Sequence, residues 1–319
     1  MNKWSKIGLS VGMGTAVLTT AHIINKFIFK LSVSNDNISN NLLVYKWKFG
    51  NIAYKVSGKG SPVLMIHDLN SYSSLDEWNS VIHFFNKHHT VYSIDLLGCG
   101  HSDKPNITYT MYMYTQLIND FILNVIGSKT SLIATGTSTP VALMTAFNNE
   151  NIIDKIILVN PIDIKMALLS PGKKNNINRI LLNSPIIGTL LYNIFMNRHH
   201  IKNNLYSNGF SNTSSVTPDI VDSCHTNAHL GGSSSKFLFT STECHYTSVS
   251  ISKAVNQLNN CIYIIYGDKT KNHTHINNQY LSLNPAIEIF GIKDAKGLPQ
   301  LEKPEEFYKT ANLVLYNNK

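Results

Sequence analysis

The chain has 319 residues, which is enough for one large hydrophobic core or for one core with an inserted subdomain. Hydrophobic residues make up 43% of it, which excludes an intrinsically disordered chain. The formal net charge is +8, but the basic residues are dispersed, so nothing indicates a nucleic-acid-binding surface. The four cysteines are scattered without a C-x-x-C pair and predict neither a disulfide framework nor a metal site.

The N-terminal segment from Ile7 to Asn25 carries no formal charge and is flanked on both sides by lysines. Its length approaches the roughly 20 residues that cross a bilayer, although several threonines interrupt it. We predict an uncleaved membrane anchor or an interfacial helix within residues 1–34, with a cleaved signal peptide and a soluble helix as alternatives. The dispersed positive charge suits an anionic membrane surface, and the unpaired cysteines favour the cytoplasmic side.

An Asn- and Ser-rich linker at 35–41 precedes two alternating apolar runs, 42–47 and 52–56, which predict a β-hairpin. The remaining apolar runs are short and continuous, as expected of strands buried on both faces. We expect these strands at 62–67, 131–135, 156–159, 261–266 and 287–292, and a further strand with an alternating pattern at 89–96. Helical patterns lie between them at 75–85, 111–126 and 140–147, and a last helix is predicted at 303–315.

Strands that alternate with helices predict an α/β fold, with a mostly parallel sheet covered by helices on both faces. The alternation stops in residues 163–249, where short helical pieces such as 178–195 and 218–225 indicate an inserted helical lid. We therefore divide the chain into four parts. They are the N-terminal helix at 1–34, the first part of the core at 35–162, the lid at 163–249 and the second part of the core at 250–319.

The segment Gly136-Thr-Ser-Thr-Pro140 lies between the predicted strand at 131–135 and the helix that follows it. A serine on a sharp turn between a strand and a helix is the arrangement called a nucleophile elbow. We predict that Ser138 is the nucleophile, with its hydroxyl at the apex of the turn. The backbone N–H of Thr139 would then stabilise an oxyanion.

Three further segments occur at matching places in the pattern of strands and helices. They are Met65-Ile-His-Asp68, the loop from Asp95 to Pro105, and Leu298-Pro-Gln-Leu-Glu-Lys-Pro-Glu-Glu-Phe307. From about residue 42 to the C-terminus, apart from most of the lid, the chain resembles the α/β-hydrolase superfamily. The likeness is to its esterase, lipase and haloperoxidase-like branch. The resemblance implies a serine nucleophile, an acid and a histidine in that chain order. It also implies that the N–H of Leu69 is the second oxyanion donor.

The chain departs from the family at two of the three catalytic positions. Thr270 stands where the resemblance implies the acid, and Gly297 stands where it implies the histidine. Asp268 and Asp163 are alternative candidates for the acid, and His275 is a candidate substitute base. A missing general base typically costs about 10²–10⁴-fold in rate.

Two functions remain open at this point. The first is ester or lipid hydrolysis by an incomplete triad, which we expect to be slow or silent. The alternative is a non-catalytic, membrane-tethered protein that binds a ligand or a partner. The apolar pieces of the lid favour a small apolar ester or a lipid-like ligand, and residues 7–25 favour a membrane. No cofactor, metal or nucleic acid is implied.

Overall fold

The structure is a computed structural model that describes residues 3–33 and 42–316. The predicted linker at 35–41 lies outside these residues. Helix α1 (Lys3–Ser32) comes first, and an eight-stranded sheet follows it. The strands are β1 (Leu43–Trp47), β2 (Gly50–Ser57), β3 (Ser61–Ile66), β4 (His89–Ile94), β5 (Thr130–Thr135), β6 (Ile153–Val159), β7 (Cys261–Gly267) and β8 (Glu288–Ile292).

The strand order across the sheet is β1-β2-β4-β3-β5-β6-β7-β8. Strand β2 is antiparallel to both β1 and β4, and the remaining neighbours are parallel. The hairpin and the mostly parallel sheet are therefore confirmed. The carboxyl ends of the parallel strands meet at one edge, where ligand sites of open α/β sheets form.

Strand β5 lies in the middle of this order, and all six of its residues are buried. Leu132 and Ala134 belong to the hydrophobic cluster on one face of the sheet, and Ile133 belongs to the cluster on the other face. This alternation is the period-2 geometry of a strand covered on both sides.

Helices cover both faces of the sheet, as predicted. The first face carries α3 (Met111–Phe121), α4 (Thr139–Asn148), α11 (Ser252–Gln257) and α12 (His273–Leu283). The second face carries α2 (Asn79–Phe85) and α14 (Pro304–Tyr316), and the short helix α13 (Pro299–Glu302) precedes α14. A π-helical turn at Ile122–Ile126 extends α3.

Six helices lie between β6 and α11. They are α5 (Ile164–Ala167), α6 (Lys173–Asn183), α7 (Ile187–Phe195), α8 (Arg198–Asn204), α9 (Pro218–His229) and α10 (Lys236–Glu243). The helical piece predicted at 178–195 is two helices, because Pro185 ends the first one. We call residues 163–249 the helical insertion.

Within the described residues, no helix combines the length and apolarity needed to cross a membrane, so the span predicted at 7–25 is not supported. Polar side chains lower the apolarity of α1, and one of them has a structural role. Asn25 is only 4% exposed; it donates a hydrogen bond to the carbonyl oxygen of Ile186 (3.1 Å) and accepts one from Asn193 (2.9 Å). The C-terminal half of α1 therefore packs against α7.

Candidate functional site

The sharp turn after β5 is made by Gly136. Strand β5 ends at Thr135, and Gly136 has a φ of +54°, a left-handed conformation that glycine adopts at little cost. A short 3-10 turn at Gly136–Ser138 then leads into α4. In the family's elbow the nucleophile occupies the sharp turn between strand and helix. In this chain a residue without a side chain occupies that place.

Ser138 lies two residues further on, inside the start of the helical segment. It has no exposed surface, and its hydroxyl donates a hydrogen bond to the carbonyl oxygen of Thr135 (2.8 Å). The N–H of Thr139 donates to the carbonyl oxygen of Gly136 within the same turn. The expectation that the Ser138 hydroxyl sits at the exposed apex is therefore wrong, because the apex directly follows the last residue of β5.

The carboxylate of Asp68 fills the space beside Gly136. Its Oδ1 accepts hydrogen bonds from the backbone N–H of Thr137 (2.7 Å) and from the Thr137 hydroxyl (2.6 Å). Its Oδ2 accepts a hydrogen bond from the side-chain amide of Asn70 (2.9 Å). A Cβ atom placed on Gly136 would lie 2.5 Å from Asp68 Oδ1, which is too close for real atoms. The carboxylate and the bare glycine are thus sterically matched.

The two backbone donors that flank the turn are already engaged. In the family's elbow, the N–H after the nucleophile and an N–H from the loop after β3 hold the oxyanion. Here these groups belong to Thr137 and Leu69. The Thr137 N–H donates to Asp68, and the Leu69 N–H donates to the Thr137 hydroxyl oxygen (3.2 Å). The Asp68 carboxylate and the Thr137 hydroxyl therefore each accept one of the two donors that would hold an oxyanion.

His67 positions this loop. It is fully buried; its Nδ1 lies 2.7 Å from the carbonyl oxygen of Asp68, and its Nε2 accepts the N–H of Leu96 (3.1 Å). Accepting at Nε2 requires the proton on Nδ1, which then donates to the carbonyl oxygen. Burial lowers the pKa of His67 and favours this neutral form. Since both ring nitrogens are engaged, His67 orders the loop.

A second carboxyl group, that of Glu77, lies next to Asp68. Its Oε2 accepts the backbone N–H of Asp68 (3.1 Å), and its Oε1 accepts a hydrogen bond from Gln300 (2.7 Å). Burial, together with the nearby charge of Asp68, raises the pKa of Glu77 to about 8. At neutral pH Glu77 is therefore mostly protonated.

The side chain of Asn160 connects the other two catalytic positions of the family. The Thr270 hydroxyl donates to Asn160 Oδ1 (3.0 Å), and Asn160 Nδ2 donates to the carbonyl oxygen of Gly297 (3.0 Å). A Cβ atom on Gly297 would lie 2.2 Å from the backbone oxygen of Asn208 in the helical insertion. The Gly297 N–H donates to that same oxygen (3.1 Å). Backbone of the insertion therefore occupies the space that a side chain at 297 would need.

Gly136, Thr270 and Gly297 all line one cavity of about 560 Å³. The positions that the resemblance selected as acid and base thus converge on the turn after β5. Aliphatic side chains of the wall are those of Ile162, Leu205, Ile220, Leu298 and Leu301, and its carboxyl groups are those of Asp68, Asp76, Glu77 and Asp219. Among the described residues that line it there is no histidine, lysine or arginine.

The substitute acids and base predicted from the sequence lie elsewhere. Asp163 caps helix α5 by accepting the N–H of Lys165 (2.7 Å), and its carboxylate lies 3.9 Å from His275 Nε2. Asp268 lies 3.4 Å from the ammonium group of Lys269. These side chains are not among the described residues that line the cavity, and neither are Ser138, Leu69 and Thr139.

The sequence contained a signal for the residues that were missed. An apolar run that ends at Thr135 places the turn at the next residue, which is Gly136. In the sequence Asp68 is only the last residue of the segment Met65-Ile-His-Asp68. Its contact with Thr137 joins residues 69 positions apart and depends on a side-chain rotamer, so local sequence does not reveal it.

Comparison with known proteins agrees with this arrangement of strands and helices. The family model of the alpha/beta hydrolase fold matches residues 61–218. The chain belongs to the α/β-hydrolase superfamily. An uncharacterized protein of Mycobacterium tuberculosis is 29% identical over 108 residues, which are 34% of this chain and 31% of that protein. A 2-hydroxy-6-oxo-6-(2'-aminophenyl)hexa-2,4-dienoic acid hydrolase of Metapseudomonas resinovorans is 28% identical over 109 residues, which are 33% of this chain and 37% of that enzyme.

These matches span about a third of the length of the curated relatives. Among solved structures, a serine hydrolase involved in carbazole degradation superposes with a TM-score of 0.70 at 17% identity. That superposition covers 86% of this chain and 98% of the other. At such low identity the likeness supports the fold of this α/β-hydrolase and no particular reaction.

Proposed function

We propose that this protein is a non-catalytic member of the α/β-hydrolase superfamily that binds a small molecule in the cavity beside Gly136. The observation that carries the proposal is the pairing of Gly136 with Asp68. A glycine takes the place of the nucleophile, the Asp68 carboxylate accepts the N–H of Thr137, and the Thr137 hydroxyl accepts the N–H of Leu69, so both oxyanion donors are engaged within the chain. Both features work against acyl transfer at the same point.

Each step of serine-type ester hydrolysis would lack a group. A serine attacks only when a neighbouring base removes its proton, and the described wall of the cavity contains no histidine. The negative charge that develops on the substrate oxygen needs free N–H donors, whereas Asp68 would repel it. Losing a triad that acts as a unit can cost roughly 10⁶-fold in rate.

The lining of the cavity supports a neutral or cationic ligand with an apolar body. Apolar side chains of the helical insertion form part of the wall; of the acidic side chains, Asp68 lies at the turn after β5 and Asp219 lies on α9. Asp76 is 3.8 Å from Lys55, and Glu77 is mostly protonated at neutral pH, so Asp68 and Asp219 contribute most of the negative charge. A neutral apolar ester or a lipid-like alcohol fits this environment better than a free carboxylate does.

A second candidate function follows from the pair of carboxyl groups. Two neighbouring carboxyl groups, one of which has a raised pKa as Glu77 has, are the kind of pairing that serves as acid and base in hydrolases. Such an enzyme would act without a serine nucleophile. It would lose its activity when Asp68 is replaced by asparagine.

The proposed test combines a covalent probe with ligand-induced stabilisation. A fluorophosphonate probe is expected to label the wild type no more than it labels Ser138→Ala, and hydrolysis of p-nitrophenyl butyrate is expected at the background rate. In thermal unfolding, methyl octanoate and octylamine are expected to raise the Tm more than octanoate does at the same concentration. Labelling or turnover that depends on Ser138 would contradict the proposal. Turnover lost in Asp68→Asn would favour the second candidate.

A matched pair of variants locates the ligand. Ile220→Trp fills part of the cavity from helix α9 and should abolish the shift in Tm. Leu313→Trp places the same side chain on α14 at a position that is 64% exposed and outside the cavity, and it should leave the shift unchanged. Equal shifts in both variants would place the ligand elsewhere on the molecule.

A further inference from the structure

Helix α1 leaves a stripe of large apolar side chains in contact with solvent. Four of its side chains are between 45% and 67% exposed: Val17 (67%), Ile23 (61%), Ile24 (45%) and Phe27 (61%). At 3.6 residues per turn these four positions fall within an arc of about 120° on one side of the helix. A helix on a protein surface normally presents polar residues on its outer side, so an outward apolar arc needs an explanation.

The direction of this arc is fixed by contacts on the opposite side of α1. Asn25 is hydrogen-bonded to α7, and the ring of Phe29 lies 5.4 Å from that of His229 in α9. The carbonyl oxygen of Ser32 accepts a hydrogen bond from the hydroxyl of Thr226 (3.1 Å). Rotating the helix to bury the arc would break these contacts, so its exposure belongs to the folded state.

The polar groups around the arc fit a lipid interface. Thr20 lies within the arc, but its hydroxyl donates to the carbonyl oxygen of Ala16 (2.9 Å), so it is already satisfied where water is scarce. Lys26 and Lys30 are exposed and border the arc on one side, and α1 contains no acidic residue. Lysines beside an apolar stripe are typical of helices that lie in the headgroup region of anionic membranes.

We infer that the apolar arc of α1 lies flat on an anionic lipid surface and holds the protein there as a peripheral membrane protein. The apolar side chains enter the boundary between headgroups and acyl chains, and the two lysines contact lipid phosphates. The helix lies in the plane of the interface and does not cross it. A second copy of the chain fits the same face less well, because a paired α1 would bring lysines toward lysines.

The test is co-sedimentation of the full chain with vesicles. Wild type should bind vesicles of phosphatidylcholine with about 30% phosphatidylserine more tightly than vesicles of phosphatidylcholine alone. Ile23→Gln/Phe27→Gln should weaken binding at least about tenfold, because two apolar side chains no longer enter the bilayer. Lys26→Gln/Lys30→Gln should weaken binding about thirtyfold on the anionic vesicles and leave binding to neutral vesicles unchanged.

Matched controls are Leu313→Gln and Tyr112→Gln, which change side chains that are 64% and 67% exposed on other helices and should not alter binding. Melting temperatures of all variants check that they are folded. Three results would overturn the inference: no binding of wild type to anionic vesicles, binding that survives Ile23→Gln/Phe27→Gln, or self-association through this face without binding to vesicles.

Discussion

Replacing Gly136 by serine tests whether the turn after β5 and the Asp68 carboxylate depend on each other. A side chain at a left-handed φ of +54° costs about 1–2 kcal/mol. The new Cβ would also lie 2.5 Å from Asp68 Oδ1, so the carboxylate must move and release Thr137. Losing hydrogen bonds to a charged group adds about 2 kcal/mol. We therefore expect Gly136→Ser to lower the free energy of unfolding by about 3–4 kcal/mol.

The control for backbone strain is Gly232→Ser. Gly232 has a φ of +56°, and a Cβ atom placed there would meet nothing within 4 Å. This variant should therefore show only the strain of about 1–2 kcal/mol. The difference between the two serine variants isolates the contact with Asp68.

A double-mutant cycle measures the same contact in a second way. Asp68→Gly alone should cost about 2 kcal/mol, because Thr137 loses its acceptor. Each single variant loses the hydrogen bonds between Asp68 and Thr137, and the double variant Asp68→Gly/Gly136→Ser loses the same bonds only once. The double variant should therefore be about 2 kcal/mol more stable than the sum of the two single effects predicts. The measurement is urea unfolding of all variants under one condition. Additive effects, together with equal costs for Gly136→Ser and Gly232→Ser, would refute the steric pairing.

Three further predictions concern stability. Ser138→Ala should lower the free energy of unfolding by about 1 kcal/mol in urea unfolding, because the buried hydroxyl donates to a backbone carbonyl, and it should leave the ligand-induced shift in Tm unchanged. The folded protein raises the pKa of Glu77 from 4.5 to about 8, so between these values the unfolded chain releases a proton that the folded chain keeps. The free energy of unfolding of the wild type, relative to that of Glu77→Gln, should therefore fall as the pH rises across this window, by at most about 1.4 kcal/mol per pH unit. A difference in unfolding midpoints that does not change with pH would contradict this prediction. Gly297→Ala should speed hydrogen exchange around Asn208, because its Cβ meets that backbone, whereas Gly172→Ala has open space and should not.

The sheet was predictable because hydrophobic periodicity reports burial directly. The continuous apolar runs gave the parallel strands, and alternation around Phe49 and Gly50 gave the hairpin. Convergence of Thr270 and Gly297 on one cavity followed from the resemblance and is seen in the structure. These predictions rely on patterns that extend over many residues, so an error of one or two residues does little harm.

The sharp turn between β5 and α4 is present as predicted, but placing Ser138 at its apex was wrong, because that assignment depends on a single residue. At Ser138 the first glycine and the serine of the pattern G-x-S-x-G are present, with Pro140 in place of the last glycine. The backbone instead requires the turn immediately after the last buried residue of β5, and this requirement selects Gly136. Choosing between the two registers needed the end of the strand to the residue, which sequence patterns fix only within a few positions. Asp68 was harder still, since its role rests on side-chain packing between distant segments.

The changes at the site support one another, and this bears on how activity could be restored. A serine at 136 collides with Asp68, so the loop after β3 must change with it. A histidine at 297 collides with the backbone at Asn208, so the helical insertion must move away from the core. Insertion and core are also joined by Glu302, whose carboxylate accepts the backbone N–H groups of Ser211 (2.8 Å) and Asn212 (2.7 Å). No single substitution can therefore rebuild the triad, and partial reversions should lose stability before any hydrolysis appears.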